Sequence, residues 1–258
     1  MDSTPTSESS GQGAGGRPAD ARAPGDDPSA PLAVRLYAVD AAAVDAARYE
    51  RFASLLDGTE RERAERFVFE RHRRRFVVAH GFLREALARE TGEPARSLVF
   101  AQDPGGKPRL AGGAVRFSLS HSGERALLAV ADAEVGLDLE EIRPARVELA
   151  LAERVMTPQE FRDFARATRD AQVSAFFRLW SAKESVMKAC GLGLALAPAS
   201  FAVLRPGTLE LATMAQAPSG TREPGGAWRL TELQAPAGFA AALASPRDAR
   251  VTTIGSNP

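Results

Sequence analysis

The amino-acid sequence predicts an α+β protein whose two halves follow the same order of elements, a strand, then helices, then strands. Alternating apolar and polar residues indicate strands, as in PLAVRLYAVD at residues 31–40. Apolar residues at helical spacing indicate helices, as in residues 59–91. The same series of patterns begins again near residue 135, although the halves share no detectable sequence similarity. We therefore predict two similar α+β subdomains in one chain.

In the first half, one or two helices within residues 59–91 follow the initial strand. The loop AQDPGGKPRL then carries Asp-Pro-Gly-Gly, a typical turn sequence, at residues 103–106. Short strands are predicted at residues 115–120 and 126–132, on either side of a His-Ser-Gly turn. These elements complete the predicted N-terminal subdomain.

The second half begins with the strand VGLDLE at residues 135–140. Two helical patterns follow at residues 147–167 and 173–190, and glycine ends the second of them. The remaining predicted strands lie at residues 199–204, 227–234 and 238–244.

Composition suggests where the two subdomains begin and end. Residues 1–30 are rich in Ser, Gly, Pro, Ala and Asp with almost nothing to bury, which predicts a disordered N-terminal tail. The N-terminal subdomain is then expected at residues 31–132 and the C-terminal subdomain at residues 133–246. Residues 247–258 are expected to form a C-terminal tail.

Global composition excludes several classes of protein. The net charge of zero gives no general attraction to nucleic acid, and the single cysteine, Cys190, excludes an internal disulfide framework. We expect Cys190 to be a small buried apolar residue. No apolar run is long enough for a membrane span, and the N-terminus lacks a secretory signal pattern. We therefore expect a cytoplasmic protein without membrane or nucleic-acid partners.

The distribution of lysine is the most unusual feature of the composition. Only three of the 33 basic residues are lysines, at Lys107, Lys183 and Lys188, and the other basic residues are arginines. Two of the three lie in WSAKESVMKACGLG, residues 180–193, where Glu184 and Lys188 are one helical turn apart. This pair is either an exposed ion pair or part of a site in which a compact cation contacts phosphate.

Asp138 and Glu140 are the first candidates for a metal site. In a strand their side chains point to the same face, where two carboxylates repel each other unless a cation lies between them. Glu184 is a third carboxylate for an oxygen-ligand set, which would suit Mg²⁺ or Mn²⁺. The alternative is that the strand ends here and both acids face water.

Candidate phosphate contacts occur in three other segments. FSLSHSG, residues 117–123, places Ser120 and His121 at a strand end, where His121 either donates to phosphate or has a structural role. The loop residues GKP, 106–108, place Lys107 in reach of a ligand or of solvent. Glycines at 191 and 193 either allow close backbone approach or simply cap the helix.

Glu160 has two interpretations. Thr157, Pro158 and Glu160 form the pattern of a capping box at a helix N-terminus. Glu160 is also a candidate general base. Because the sequence has no nucleophile elbow, metal-type Cys/His spacing, Walker loop or dinucleotide fingerprint, the remaining chemistry is that of phosphoryl transfer at a divalent cation.

In this order, GKP, FSLSHSG, VGLDLE and WSAKESVMKACGLG resemble the motifs of the 4′-phosphopantetheinyl transferases, specifically the larger pseudo-dimeric (Sfp-like) type. The last two segments match the family patterns G-[V/I/L]-D-x-E and W-x-x-K-E-[S/A]-x-x-K-x-x-G-x-G without a gap. The resemblance extends less sharply back to about residue 61 and forward to the last predicted strands. It does not include residues 1–30 or the final dozen.

The resemblance implies a pseudo-dimer of two α+β subdomains with coenzyme A bound in the cleft between them. It implies Mg²⁺, with Mn²⁺ as an alternative, on the pyrophosphate of coenzyme A, held by Asp138, Glu140 and Glu184. Lys188 would contact the attacked phosphate, and the other ligand contacts would lie near the adenine or the 3′-phosphate. Those contacts would be Arg63, Arg75, Gly106, Lys107, Pro108, Ser120 and His121.

The implied reaction moves the phosphopantetheine arm from coenzyme A to a serine of an apo acyl or peptidyl carrier protein and releases 3′,5′-ADP. Glu160, Lys183 or an ordered water would accept the serine proton. The resemblance also implies a monomer and favours carriers of polyketide or nonribosomal-peptide synthesis. Two alternatives are a metal-dependent nuclease or phosphohydrolase and an inactive module that binds carrier proteins.

Overall fold

Two four-stranded sheets organise the computed structural model, which describes residues 30–113, 115–217 and 226–255. In the described part of the first half, the chain forms three α-helices and five strands. They are β1 Leu32–Asp40, α1 Ala46–Leu55, α2 Gly58–Glu65, α3 Glu70–Thr91, β2 Phe100–Gln102, β3 Pro108–Leu110, β4 Arg116–Ser122 and β5 Arg125–Ala131. Short strands β2 and β3 form a hairpin around the predicted Asp-Pro-Gly-Gly turn.

The described residues of the second half form three more α-helices and five more strands. They are β6 Gly136–Glu141, α4 Leu149–Val155, α5 Pro158–Ala165, α6 Arg169–Cys190, β7 Met214–Gln216, β8 Ala227–Glu232, β9 Phe239–Ser245 and β10 Ala249–Ile254. The predicted capping box is confirmed, because Thr157 and Glu160 exchange both capping hydrogen bonds at the start of α5. Helix α6 ends where Gly191 adopts the left-handed conformation, with φ of 70°.

The observed strands correct two expectations. The sheets run β10-β1-β5-β4 and β6-β9-β8-β7, so the last strand joins the first half of the chain, parallel to β1. The expectation of a C-terminal tail over residues 247–258 is therefore wrong for Ala249–Ile254, whose partners are distant in sequence and could not be found from a local pattern. The strand expected at residues 199–204 is also wrong, since only Leu204 forms an isolated bridge, to Leu211.

Strands β4 and β6 lie at the edges of the two sheets and are joined by serine side chains. The hydroxyl groups of Ser118, Ser120 and Ser122 accept hydrogen bonds from alternate backbone N–H groups of β6, at distances of 2.9, 3.2 and 3.0 Å. The alternation of side chains along a strand brings all three hydroxyls to one face. We call this arrangement the serine ladder. It satisfies N–H groups that an open sheet edge would leave exposed.

Apolar packing also connects the halves of the chain. One core surrounds α3 and another surrounds α6. A third core combines residues of both sheets, namely Leu32, Val34, Leu36, Leu127, Ala129, Ala131, Val135, Leu137, Leu139, Leu233, Ala241 and Leu243. The shared core fixes β6 relative to the first sheet. None of the helices in the described part of the chain combines the length and the apolar character that a membrane span requires.

Gly136 allows β6 to pack directly on α6, and its replacement is expected to be costly. A Cβ atom at Gly136 would lie 1.8 Å from the carbonyl oxygen of Ser185 and 2.4 Å from the backbone nitrogen of Ala189. Because backbone cannot rotate away as a side chain does, we expect Gly136→Ala to lower the free energy of unfolding by about 3 kcal/mol or more. Urea denaturation would measure this.

Gly58→Ala is the matched control, because a Cβ atom at Gly58 would meet nothing within 4 Å. Gly58 lies in the first turn of α2, so the substitution is expected to be neutral or to stabilise by about 0.5 kcal/mol. Equal unfolding midpoints for the two variants would contradict the proposed close packing at Gly136.

Candidate functional site

A cavity of about 230 Å³ brings together three of the four sequence motifs. Its lining residues come from the β2–β3 turn, from β4 and from the end of α6. They are Gly105, Gly106, Lys107, Pro108, Phe117, Ser118, Leu119, Lys188, Gly191 and Gly193. The fourth motif, on β6, reaches the cavity through the hydrogen bonds of Lys188. Both halves of the chain therefore contribute to the cavity wall.

The turn between β2 and β3 lies directly against the C-terminal end of α6. A Cβ atom at Gly105 would lie 1.7 Å from the carbonyl oxygen of Gly191, so only glycine fits at this point. The close approach depends on Gly105 and not on Gly191, where a Cβ atom would meet only Oδ2 of Asp103, at 3.7 Å. For Gly191 the structure supports the alternative interpretation, that it caps the helix. The contact forms one end of the cavity.

Lys188 connects the cavity to the acidic strand β6. Its ammonium group donates to Oδ1 of Asp138 at 2.6 Å and to the hydroxyl of Ser120 at 3.0 Å. Ser120 in turn donates to the same Asp138 oxygen at 2.9 Å. Asp138 is 3% exposed, whereas Lys188 is partly exposed. Lys188 can therefore contact a ligand in the cavity while its charge is balanced by Asp138.

Glu140 is held by donors on two sides. The indole N–H of Trp180 donates to its Oε1 at 3.2 Å, and the hydroxyl of Ser122 donates to its Oε2 at 3.3 Å. Trp180 belongs to α6 and Ser122 to β4, so the carboxylate is oriented by elements from both halves. Neither donor carries a positive charge, and the negative charge of Glu140 is not neutralised by them.

The pKa values of Glu140 and Glu184 indicate that the three carboxyl groups interact. Desolvation by burial, and next the negative charge of Asp138, raise the pKa of Glu140. Desolvation also raises the pKa of Glu184; nearby Lys188 opposes this shift, and the charges of Asp138 and Glu140 add to it. A cation near these groups would therefore relieve their mutual repulsion.

The donor chemistry of this acidic group fits a divalent cation. Oδ2 of Asp138 is buried without a hydrogen-bond partner, which leaves one carboxylate oxygen available for coordination. Carboxylate oxygens are the ligands that Mg²⁺ and Mn²⁺ prefer. Over residues 30–113, 115–217 and 226–255, however, no three His, Cys, Asp or Glu side chains are already gathered as a metal site.

His121 lies beside a group of cationic side chains. The side chain is exposed at the end of β4. Desolvation is the main cause that lowers the pKa of His121, and the positive charges of Lys188 and Arg63 act in the same direction. Electrostatic repulsion among these groups would be reduced by a bound anion, which is compatible with the predicted phosphate contact. Arg63 and His121 are thus close enough for the charge of Arg63 to influence the pKa of His121.

Arg75 also lies near His121 but is paired with an acidic residue. Its Nε donates to Oε1 of Glu124 at 2.7 Å, and this bond is the main cause of the raised pKa of Arg75. Arg75 and His121 line a small common cavity at the β4–β5 turn. An incoming phosphate would therefore compete with Glu124 for the guanidinium group.

Glu160 and Lys183 form a buried pair that is not among the residues lining the cavity. Their side chains are 3% and 0% exposed, and Nζ of Lys183 lies 2.9 Å from Oε2 of Glu160. Lys183 also donates to the backbone oxygens of Pro198 and Phe201. Burial lowers the pKa of Lys183, against the influence of Glu160.

The carboxylate of Glu160 is fully engaged by backbone donors as well. Its Oε1 accepts from the N–H groups of Val203 and Leu204 at 2.7 and 3.1 Å, and Oε2 accepts from Thr157 at 2.9 Å. Together with the ion pair to Lys183, these bonds join α5 and α6 to the segment after α6. The geometry therefore supports the capping interpretation of Glu160 rather than access to a substrate.

Lys107 lines the cavity, but its ammonium group is engaged elsewhere. Nζ donates to Oε2 of Glu134 at 2.9 Å and to the backbone oxygen of Val135 at 2.8 Å. The side chain is 8% exposed, and burial lowers its pKa. Its backbone and aliphatic stem, with neighbouring Gly106 and Pro108, therefore form the surface that a ligand in the cavity would meet.

Sequence reasoning missed four residues that organise the site. Ser118 and Ser122 complete the serine ladder, Trp180 orients Glu140, and Glu134 binds Lys107. The Ser-x-Ser-x-Ser alternation in FSLSHS was a usable signal for the two serines. Glu134 precedes β6 outside any motif, and its partners lie in the β2–β3 hairpin and at the start of β4, so no local pattern marks it.

Cys190 is a buried thiol, as predicted, and should resist modification. It is 1% exposed in the core around α6, and burial raises its pKa to about 11. At pH 8 only about one thousandth of the thiol would be ionised. We expect no carbamidomethylation of the native protein by iodoacetamide and complete reaction after denaturation, measured by intact mass. Rapid native reaction would contradict the buried position.

The carboxylates, the lysine and the glycine-lined cavity form the kind of site that phosphoryl-transfer enzymes use. Comparison with known proteins agrees. The family model "4′-phosphopantetheinyl transferase superfamily" matches residues 134–244, and the model "4′-phosphopantetheinyl transferase, N-terminal" matches residues 44–133.

Named relatives from three bacteria are similar over more than half of this chain. The 4′-phosphopantetheinyl transferase HetI of Nostoc sp. is 36% identical over 186 residues, which are 70% of this chain and 74% of HetI. The transferase psf-1 of Bacillus pumilus is 34% identical over 59% of this chain and 65% of its own length. Sfp of Bacillus subtilis is 30% identical over 60% of this chain and 68% of its own length. The chain belongs to the 4′-phosphopantetheinyl transferase family, of the Sfp-like type, and is an enzyme of that family.

Proposed function

We propose that this enzyme transfers the 4′-phosphopantetheine arm of coenzyme A to a serine hydroxyl of an apo acyl or peptidyl carrier protein and releases 3′,5′-ADP. The observation that carries the proposal is the cavity lined by the β2–β3 turn, β4 and the end of α6. Those segments are the ones whose motifs resemble the family, and they are far apart in sequence. Their convergence supports one common ligand.

The two sheets, each with its long helix, act as the halves of a pseudo-dimer, and coenzyme A binds between them. The adenine lies against the turn formed by Gly106, Lys107 and Pro108. The 3′-phosphate is received by Ser120 and His121 with Arg63 and Arg75. Support comes from the shared cavity and from the cationic surroundings that lower the pKa of His121. One chain supplies both halves, so the enzyme acts as a monomer.

Asp138, Glu140 and Glu184 hold a Mg²⁺ ion, for which Mn²⁺ can substitute. Support comes from the unpartnered Oδ2 of Asp138 and from the raised pKa values of both glutamates. When bound, the ion neutralises pyrophosphate charge and favours departure of the nucleotide. Trp180 and Ser122 orient Glu140 for this role.

In the transfer, the carrier serine oxygen forms a bond to the phosphorus that bears the pantetheine arm. The bond from that phosphorus to the oxygen of the departing nucleotide breaks, and 3′,5′-ADP leaves with that electron pair. Lys188 contacts the attacked phosphate and exchanges part of its interaction with Asp138 for it. The full engagement of Glu160 and Lys183 favours an ordered water as acceptor of the serine proton.

The proposed function is tested by incubating apo carrier proteins with the enzyme, coenzyme A and Mg²⁺ and measuring the intact mass of each carrier. Carriers of polyketide and nonribosomal-peptide synthesis are tried first, and one of fatty-acid synthesis is included. A mass gain of one phosphopantetheine arm, lost on addition of EDTA and restored by Mg²⁺, supports the proposal. Absence of any gain together with absence of coenzyme A binding would reject it.

A further inference from the structure

Glu134, which lies outside the four sequence motifs, is the centre of a charged cluster. Its Oε2 accepts from Lys107 at 2.9 Å, while its Oε1 lies 2.9 Å from Arg109 and 3.2 Å from Arg116. The side chain is only 12% exposed. The carboxylate of Glu134 thus forms ion pairs with three basic side chains. Two of these, Lys107 and Arg109, belong to the β2–β3 hairpin.

The turn of that hairpin is also ordered by bonds between its own residues. Arg109 forms an ion pair with Asp103 on the opposite side of the turn as well as with Glu134. Backbone bonds from Gly106 to Asp103 at 2.8 Å and from Asp103 to Lys107 at 2.9 Å close the turn. The turn is therefore internally ordered and is attached to the rest of the protein through Glu134.

The attachment point lies in the connection between β5 and β6. Val135 follows Glu134 directly, is fully buried, and offers its carbonyl oxygen to Lys107 at 2.8 Å. The next residue begins β6, the strand that carries Asp138. Glu134 consequently links one wall of the cavity to the strand on which the acidic residues lie.

We propose that Glu134 is a positioning residue that holds the β2–β3 turn against the cavity and so determines the affinity for coenzyme A. This inference rests on the proposed function. Glu134 does not contact the reacting atoms, so it acts on binding equally in the ground state and the transition state. Such a residue affects KM and leaves kcat unchanged.

The proposal also assigns a structural role to the ammonium group of Lys107. If Lys107 bound the ligand directly through Nζ, removal of Glu134 would free the ammonium group and strengthen binding. If the pair positions the turn, removal of either partner weakens binding. The effects of the two substitutions on the free energy of coenzyme A binding would then be non-additive. The first substitution already breaks the ion pair, so the second has no further interaction to remove.

The experiment compares wild type with Glu134→Gln, Lys107→Met and the double variant. Coenzyme A affinity is measured by calorimetry and steady-state kinetics by carrier modification. We expect each single variant and the double variant to raise both Kd and KM for coenzyme A about tenfold, as for loss of a charge-assisted hydrogen bond. The value of kcat should stay within about twofold of wild type.

Hydrogen exchange supplies a readout that does not require activity. Amides of the β2–β3 turn should exchange faster in Glu134→Gln, while those of α6 should not change. Glu90→Gln is the matched control: Glu90 is 10% exposed and accepts from Arg35 and Tyr37, none of which lines the cavity. It should leave Kd and the exchange of the turn unchanged.

The outcomes separate this inference from the proposed function. Wild-type Kd and turn exchange in Glu134→Gln, tighter binding in that variant, or additive losses in the double variant would each overturn the inference while leaving the transferase in place. If wild type neither bound coenzyme A nor modified a carrier, the proposed function would fail. Hydrogen exchange would then still show whether Glu134 orders the turn.

Discussion

Replacement of Asp138 by Asn is expected to reduce phosphopantetheine transfer by a factor of about 100 to 1,000. Asn has nearly the same shape and can still accept from Ser120, so the fold should be retained. The negative charge that balances Lys188 is lost, and an amide NH₂ group takes the place of a carboxylate oxygen. The proposed Mg²⁺ site would lose a ligand and Lys188 its counter-ion.

Initial rates of carrier modification at several Mg²⁺ concentrations would measure this effect. Asp40→Asn is the matched control, because Asp40 also lies in a strand and pairs with a cation, Arg125, at 3.1 Å. It should retain wild-type activity. A fully active Asp138→Asn enzyme would contradict the proposed role of the acidic strand. A variant that was inactive because it was unfolded would be recognised by its circular dichroism spectrum.

Replacement of Lys183 by Met is expected to lower the free energy of unfolding by about 3–5 kcal/mol, the cost of breaking a buried ion pair. Methionine fills a similar volume but leaves Glu160 charged, buried and without its cation. The backbone oxygens of Pro198 and Phe201 also lose a donor. The double variant Lys183→Met/Glu160→Gln should recover part of the lost stability, since no buried charge remains.

Chemical denaturation and transfer rates should be measured on the same samples. Arg178→Gln breaks an exposed ion pair with Glu232 and should cost no more than about 1 kcal/mol. If Lys183→Met were as stable as wild type but inactive, the proposed structural role of Lys183 would be wrong. Lys183 would then again be a candidate for the general base. Folded Lys183→Met at low temperature should retain substantial activity.

The sequence predicted those parts of the site that lie within one element. Asp138 and Glu140 share a strand face because side chains alternate, and Glu184 and Lys188 share a helix face because they are one turn apart. The capping box at Thr157 was predicted from its own four residues and is present. Local rules were sufficient for each of these features.

Features that depend on distant partners could not be predicted in the same way. Lys107 was expected to reach a ligand or solvent, but its ammonium group is held by Glu134, 27 positions away in sequence. The burial of Lys183 depends on backbone oxygens of Pro198 and Phe201, in a segment whose conformation was predicted incorrectly. A local pattern carries no information about which charges will meet after folding.

Parallel pairing of β10 with β1 has a consequence for synthesis of the chain. Leu32 pairs with Ala249, so β1 receives this neighbour only after β10 has also emerged from the ribosome. Until then β1 presents an open edge, which can pair with other chains. The N-terminal half is therefore not finished when its own residues have been translated. Separately expressed halves should be prone to aggregation, and co-expression should rescue them only if β10 reaches β1.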